Sequence, residues 1–162
     1  MSKSPLVSRA DLTSALLTSG DFDNADFYGA VLSGTHMNVG SFDGANFAHD
    51  TLTNLFAPGS SFQSADFVGA QIQGNPTTWG YSNFSNADFQ SAQIEYDLGI
   101  GIIMFNSTFT NANFTNAFLE GIDFQNSTFA GATFTGTKWI DDTCPDGTNS
   151  NADGYTCLNN LG

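Results

Sequence analysis

Gly20-Asp21-Phe22-Asp23-Asn24-Ala25-Asp26-Phe27-Tyr28-Gly29 carries a large apolar side chain at every fifth residue and a small one two places before each. A period of five matches neither the 3.6 of a helix nor the 2 of a simple strand. The same beat runs outward through Leu12, Leu17, Phe22, Phe27, Leu32, Met37, Phe42, Phe47 and Leu52, then Phe62, Phe67 and Ile72. After Gly74-Asn75-Pro76 it resumes with a two-residue slip at Trp79, Phe84, Phe89 and Ile94, and continues from Met104 to Trp139.

A second beat of twenty aligns Phe22 with Phe42 and Phe62, Phe27 with Phe47 and Phe67, and Leu32 with Leu52 and Ile72. Four units therefore make one coil with four sides. One such unit cannot bury its apolar face alone, so successive coils must stack on each other. Burying each Phe contributes about 1.5 to 3 kcal/mol, set against roughly 1 to 2 kcal/mol of backbone entropy per residue, so stacking has to be cooperative.

Units such as Ala25-Asp26-Phe27-Tyr28-Gly29, Ala45-Asn46-Phe47-Ala48-His49 and Ala87-Asp88-Phe89-Gln90-Ser91 resemble the pentapeptide-repeat family. The resemblance covers about 26 units and implies an all-β chain, a right-handed quadrilateral β-helix or β-solenoid of about 6.5 coils. It also implies that the Phe or Leu and the small residue point inward and the other three outward. Residues 1–9 are expected as an N-terminal cap or tail, 10–140 as the solenoid with a two-residue insertion near 73–76, and 141–162 as a C-terminal cysteine loop cap.

Sixteen acidic residues against three basic ones give a net charge of −13, which repels nucleic acid phosphates and anionic membrane surfaces. Direct nucleic acid binding is not expected. No run of 18 apolar residues is present, so neither is membrane insertion. The only cysteines, Cys144 and Cys157, flank a loop rich in Gly, Asn and Asp, which suits a disulfide in an oxidising compartment. Such a bridge contributes about 3 kcal/mol in the chain-entropy picture. Similar tails close other extracytoplasmic-looking members of the family, so periplasm, thylakoid lumen or secretion is the expected location, with the cytoplasm left open.

Continued at twenty residues per coil, one side carries Leu17, Met37, Ala57, Trp79, Gly99, Leu119 and Trp139 inward. Trp79 is expected to fill the space that Ala57 and Gly99 leave. The outward residues of that side are Leu16, His36, Phe56, Thr78, Leu98, Phe118 and Lys138, with Ile100, Ile103 and Phe105 beside them. Leu16, Phe56, Leu98, Ile100, Ile103, Phe105 and Phe118 form the candidate interface, since a contiguous exposed apolar patch marks a binding surface. Its partner is another protein or a second copy of the chain.

A polar stripe of Asp26, Asn46, Asp66, Asp88, Thr108 and Thr128 lies on another side, and Asp26, Asp66 and Asp88 make it an acidic face. Ile102 and Ile122 replace the small Gly20, Gly40, Ser60 and Ser82, so that end is expected to widen. Asp50 and Asp97 fall at inward positions, where a short carboxylate accepts hydrogen bonds from turn amides.

No catalytic, metal or cofactor motif stands out. Gly99-Ile100-Gly101 lacks the third glycine of a dinucleotide loop, and the run from Asn149 ends at Asn160 where a calcium loop has Glu. His36 and His49 share no carboxylate. The expectation is a non-enzymatic, structural or protein-binding scaffold with no cofactor. The alternative comes from the resemblance alone: some family members look like a DNA duplex in girth and charge and bind type II topoisomerases such as gyrase.

Overall fold

A computed structural model describes residues 7–74, 76–96 and 101–161. The chain winds as a four-sided β-solenoid whose rungs pair in parallel with those of the next coil. The first side runs from Asp11 through Val31, Thr51, Gln71, Gln93 and Phe118 to Lys138. It contains β1 (Thr51–Thr53), β2 (Gln71–Gln73), β4 (Gln93–Glu95), β6 (Phe118–Glu120) and β8 (Lys138–Ile140). The second side runs from Leu16 through His36, Phe56, Thr78, Ile103 and Asp123 to Thr143, and contains β3 (Thr77–Thr78), β5 (Ile102–Ile103) and β7 (Ile122–Asp123). The third climbs from Asp21 to Thr128, and the fourth from Asp26 to Thr133.

Each rung is short because a corner follows it. An amide reaches back three residues, as from Ala15 N to Leu12 O at 2.9 Å, and the next corner residue takes a positive φ, as at Asn24 (57°) and Gly44 (67°). That backbone suits Gly, Asn and Ser, the types that recur there. Between coils, amides and carbonyls alternate up the stack, with Leu12 N to Val31 O at 2.8 Å and Val31 N to Ala10 O at 3.0 Å.

Two aromatic columns fill the third and fourth sides. Phe22, Phe42, Phe62, Phe84, Phe109 and Phe129 stack at 4.8 to 5.2 Å between centroids. Phe27, Phe47, Phe67, Phe89, Phe114 and Phe134 stack at 4.7 to 5.1 Å. Beside the first column the small inward position carries a buried serine ladder. Ser60, Ser82, Ser107 and Ser127 each accept the amide one coil earlier and donate to a carbonyl there, as Ser127 Oγ does with Ser107 N and Met104 O. One hydroxyl thus satisfies a donor and an acceptor that the absent side-chain bulk would otherwise leave dry.

The register differs from a uniform twenty. Thr78 pairs with Ile103 and Gln93 with Phe118, both 25 residues on, after a step of 22 from Phe56 to Thr78. Five extra residues therefore lie between β4 and β5. Trp79 continues upward to Met104, Phe124 and Cys144, whereas Leu119 and Trp139 stand above Ile94 on the first side. Gly99, the expected neighbour of Trp79, lies outside the described residues, as does Asp97. Trp79 is fully buried as expected, its rings 5.5 to 5.7 Å from Phe62, Phe67 and Phe84.

The same shift moves Ile102 and Ile122. They follow Leu55 and Thr77 on the second side, and the column of Ser60 and Ser82 continues unwidened through Ser107 and Ser127. Gly101 marks the return to register: its φ is +87°, and a Cβ there would stand 2.5 Å from Gly121 O.

At the C-terminal end Thr143 pairs antiparallel with Asn149, Cys144 N donates to Thr148 O at 2.8 Å, and Cys144 is bonded to Cys157, both buried. The disulfide-closed loop covers the second side of the last coil. Trp79→Ala is expected to cost about 3 to 5 kcal/mol through the cavity it opens. Ser107→Ala leaves a buried amide and carbonyl unpaired, at about 1 to 3 kcal/mol. Urea unfolding followed by circular dichroism reads both.

Candidate functional site

The second side and the corner that follows it present a group of apolar side chains to solvent, while Tyr28, Val31, Ile140, Tyr155 and Leu158 are exposed elsewhere. Leu16 is 79% exposed and Phe56 40%, and Ile103 is half-buried on the same ladder. His36 lies between the first two and packs its ring 5.5 Å from Phe56. At the corner Val39 and Tyr81 are each 65% exposed, and Tyr81 meets Phe105 edge-on at 5.1 Å.

Val39 and Tyr81 occupy the left-handed corner position, with φ of 57° and 60°. A β-branched or aromatic residue there is strained by about 1 to 2 kcal/mol relative to glycine. Neither side chain recovers that by burial. Burial in the solenoid therefore does not account for the strained backbone at either position. Sequence reasoning passed over both, although a bulky apolar or aromatic side chain at a corner held elsewhere in the solenoid by Gly, Asn, Ser, His, Arg or Asp was the available signal.

The residues of the expected interface do not share one side. Leu16, Phe56, Ile103 and Phe105 are brought together, while Phe118 sits on the first side between Gln93 and Lys138. The five-residue step separates it from the others by one face. Leu98 and Ile100 lie outside the described residues. On the fourth side Asp26, Asp66 and Asp88 do align, but the ladder then continues to Asn113 and Thr133. Thr108 and Thr128, expected there, belong to the third side. All three aspartates accept the backbone amide two residues on, and two also accept a side-chain amide from the next coil, Asn46 Nδ2 to Asp26 at 3.1 Å and Asn113 Nδ2 to Asp88 at 3.0 Å.

The buried carboxylates are anchored to backbone rather than gathered into a centre. Asp50 Oδ1 accepts the Ala30 amide at 3.1 Å, and its Oδ2 has no partner among the described residues. Asp142 accepts the amides of Ile122 and Ile140, each at 3.0 Å. Burial pushes both carboxyls up to about 7, opposed by those amides. Asp50 fills the position that Ala30 and Ala70 hold in adjacent coils, so the carboxylate is turned inward on a column of small residues. Among the described residues no group of three or more His, Cys, Asp or Glu side chains is placed to hold a metal ion, and no helix is long and apolar enough to cross a membrane.

A family model described as pentapeptide repeats (8 copies) matches residues 8–38 and 103–138. Among solved structures, the chain is similar to HetL, a pentapeptide repeat protein involved in heterocyst differentiation regulation in Nostoc sp. strain PCC 7120. Identity is 18% over 89% of this chain and 65% of HetL, with a TM-score of 0.49. QnrB1, a plasmid-mediated fluoroquinolone resistance protein, matches at 17% identity over 84% of this chain and 81% of its own, with a TM-score of 0.42. A pentapeptide repeat protein from the Arabidopsis thaliana thylakoid lumen matches at 27% identity over 78% and 69%, with a TM-score of 0.38. The chain spans just under two thirds of HetL's length. A comparison with curated proteins finds no match.

The raised carboxyls make stability depend on pH in a defined sense. Between 3.8, the ordinary aspartate value, and about 7 the folded chain holds protons that the unfolded chain has lost. Stability is therefore fullest below that window, falls as pH rises through it and levels off above. Asp50→Asn mimics the protonated group, so it is expected to melt above the wild type at pH 8 and to lose less between pH 5 and 8. A thermal-melt series across that range measures it.

Proposed function

The chain is a pentapeptide-repeat protein, and on that premise we propose that it is a non-enzymatic scaffold that binds protein through the apolar strip of its second side. A second copy of itself is the first candidate and a different protein the next. One observation carries this reading: Val39 and Tyr81 are apolar, solvent-exposed and held in a strained backbone. Leu16 and Phe56 extend the strip across the adjoining face. A docked partner would remove these side chains from water at about 25 cal/mol for each Å² covered.

The solenoid at 10–140 is the body of the scaffold, 1–9 its N-terminal cap or tail and 141–162 the cap that ends it. The buried Cys144–Cys157 bridge favours an oxidising compartment such as the periplasm, the thylakoid lumen or the exterior. The net charge of −13 is the one feature that favours a DNA mimic acting on a type II topoisomerase. Against it, the fourth side carries acid only as far as Asp88 and is neutral at Asn113 and Thr133.

Light scattering over a concentration series tests the strip. The wild type is expected to associate, and Leu16→Ser/Phe56→Ser to be folded and monomeric. Val39→Asn separates function from stability: relief of the corner raises stability by about 1 kcal/mol while association weakens. A wild type that stays monomeric at every concentration excludes self-association. A Val39→Asn variant that associates as the wild type does removes Val39 from the interface.

A further inference from the structure

The last coil is covered on only part of its rim. On the second side the cysteine loop pairs with Thr143, whereas the third side, where Ser127 and Phe129 are buried, and the fourth have no further rung paired to them among the described residues. Among the described residues Phe129 N–H and Phe134 N–H have no acceptor and Ser127 O and Ala132 O no donor, although the equivalent groups one coil below are all paired. There Phe109 N reaches Thr128 O at 2.8 Å, Thr128 N reaches Ser107 O at 3.0 Å, and Phe114 N reaches Thr133 O at 2.8 Å.

A cleft of about 460 Å³ borders this edge. One wall is Ser127 to Ala130, and the other is Pro145, Asp146, Asn160 and Leu161 of the cysteine loop. Phe129 is covered, at 4% exposure, whereas Phe134 is half-buried and ends its aromatic column, with the Trp139 ring tilted beside it at 5.1 Å. Asp146 stands at the corner where any further rung of the third side would begin. Bonds from Thr148 and Asn160 hold its carboxylate in the ionised form.

We propose that the unpaired edge at Ser127–Phe129 and Ala132–Phe134 is a binding site for an extended segment of a protein partner, which adds one more parallel rung. The segment's amides bond Ser127 O and Ala132 O, and its carbonyls accept Phe129 N–H and Phe134 N–H. A small side chain lies over Phe129, where there is no room for a ring, and an aromatic one stacks on Phe134. A cationic residue at its N-terminal end lies beside Asp146, whose charge fits it. Main-chain pairing at a free edge supplies the affinity, and side chains at alternate positions supply the selection. This site is separate from the second-side strip and does not depend on it.

The probe is the synthetic peptide Lys-Ser-Thr-Ala-Thr-Gly-Ala-Thr-Phe-Thr-Gly, labelled at its C-terminus and followed by fluorescence anisotropy with the full chain. N-methylation of the first and third threonine amides, which face Ser127 O and Ala132 O, is expected to weaken binding at least tenfold. Replacement of the peptide Phe by Ala is expected to weaken it about tenfold, and of Lys by Glu severalfold. Leu16→Ser/Phe56→Ser should bind the peptide as the wild type does. The proposal is overturned by equal affinity of the methylated and unmethylated peptides, by no binding up to about 1 mM, or by loss of binding in Leu16→Ser/Phe56→Ser while that variant remains folded.

Discussion

Every part of this molecule depends on the fit of one rung upon the next. A single unit of five residues holds one large side chain and one corner, and neither is satisfied alone. The Phe rings find their neighbours one coil away at about 5 Å, which is the spacing of hydrogen-bonded strands. Ring stacking and backbone pairing therefore impose the same distance. The serine ladder follows from that agreement, because a hydroxyl fits between two coils only when their amides and carbonyls are in step.

The same constraint decides what the surface is free to do. Inward positions are committed to packing and corner positions to a left-handed backbone, so only outward residues vary without cost to the fold. Val39 and Tyr81 depart from the corner rule, and they do so next to the exposed Leu16 and Phe56. Asp50 and Asp142 depart from the inward rule, but their amide partners give them a structural explanation. The distinction between the two departures is physical: buried groups are held by what surrounds them, and exposed ones are not.

The fold was legible because a five-residue beat admits few other arrangements. The side of the solenoid on which each residue falls was legible only as far as Ile94. The two-residue slip at Gly74 to Pro76 broke the beat and announced itself. The five-residue step before β5 did not, because an insertion equal to one unit leaves the count in phase while turning the chain by a face. Phe118, Leu119 and Trp139 were consequently assigned one side too far. Tyr81 and Val39 escaped because attention to the central residue of each unit hides a departure two places after it. The disulfide between Cys144 and Cys157 was legible from pairing arithmetic, but the unpaired rim beside it required the hydrogen-bond pattern of the last coil.

Cysteine cross-linking tests the register most directly. In the structure Gln93 pairs with Phe118, and Asn113 pairs with Asp88. Adjacent parallel rungs lie about 4.8 Å apart, within the range of about 4.4 to 6.8 Å that a disulfide spans. Gln93→Cys/Phe118→Cys is predicted to cross-link under mild oxidation and Gln93→Cys/Asn113→Cys to remain reduced. Cross-linking of the second pair without the first would mean that the coils step by a uniform twenty, and the apolar strip as drawn here would be wrong.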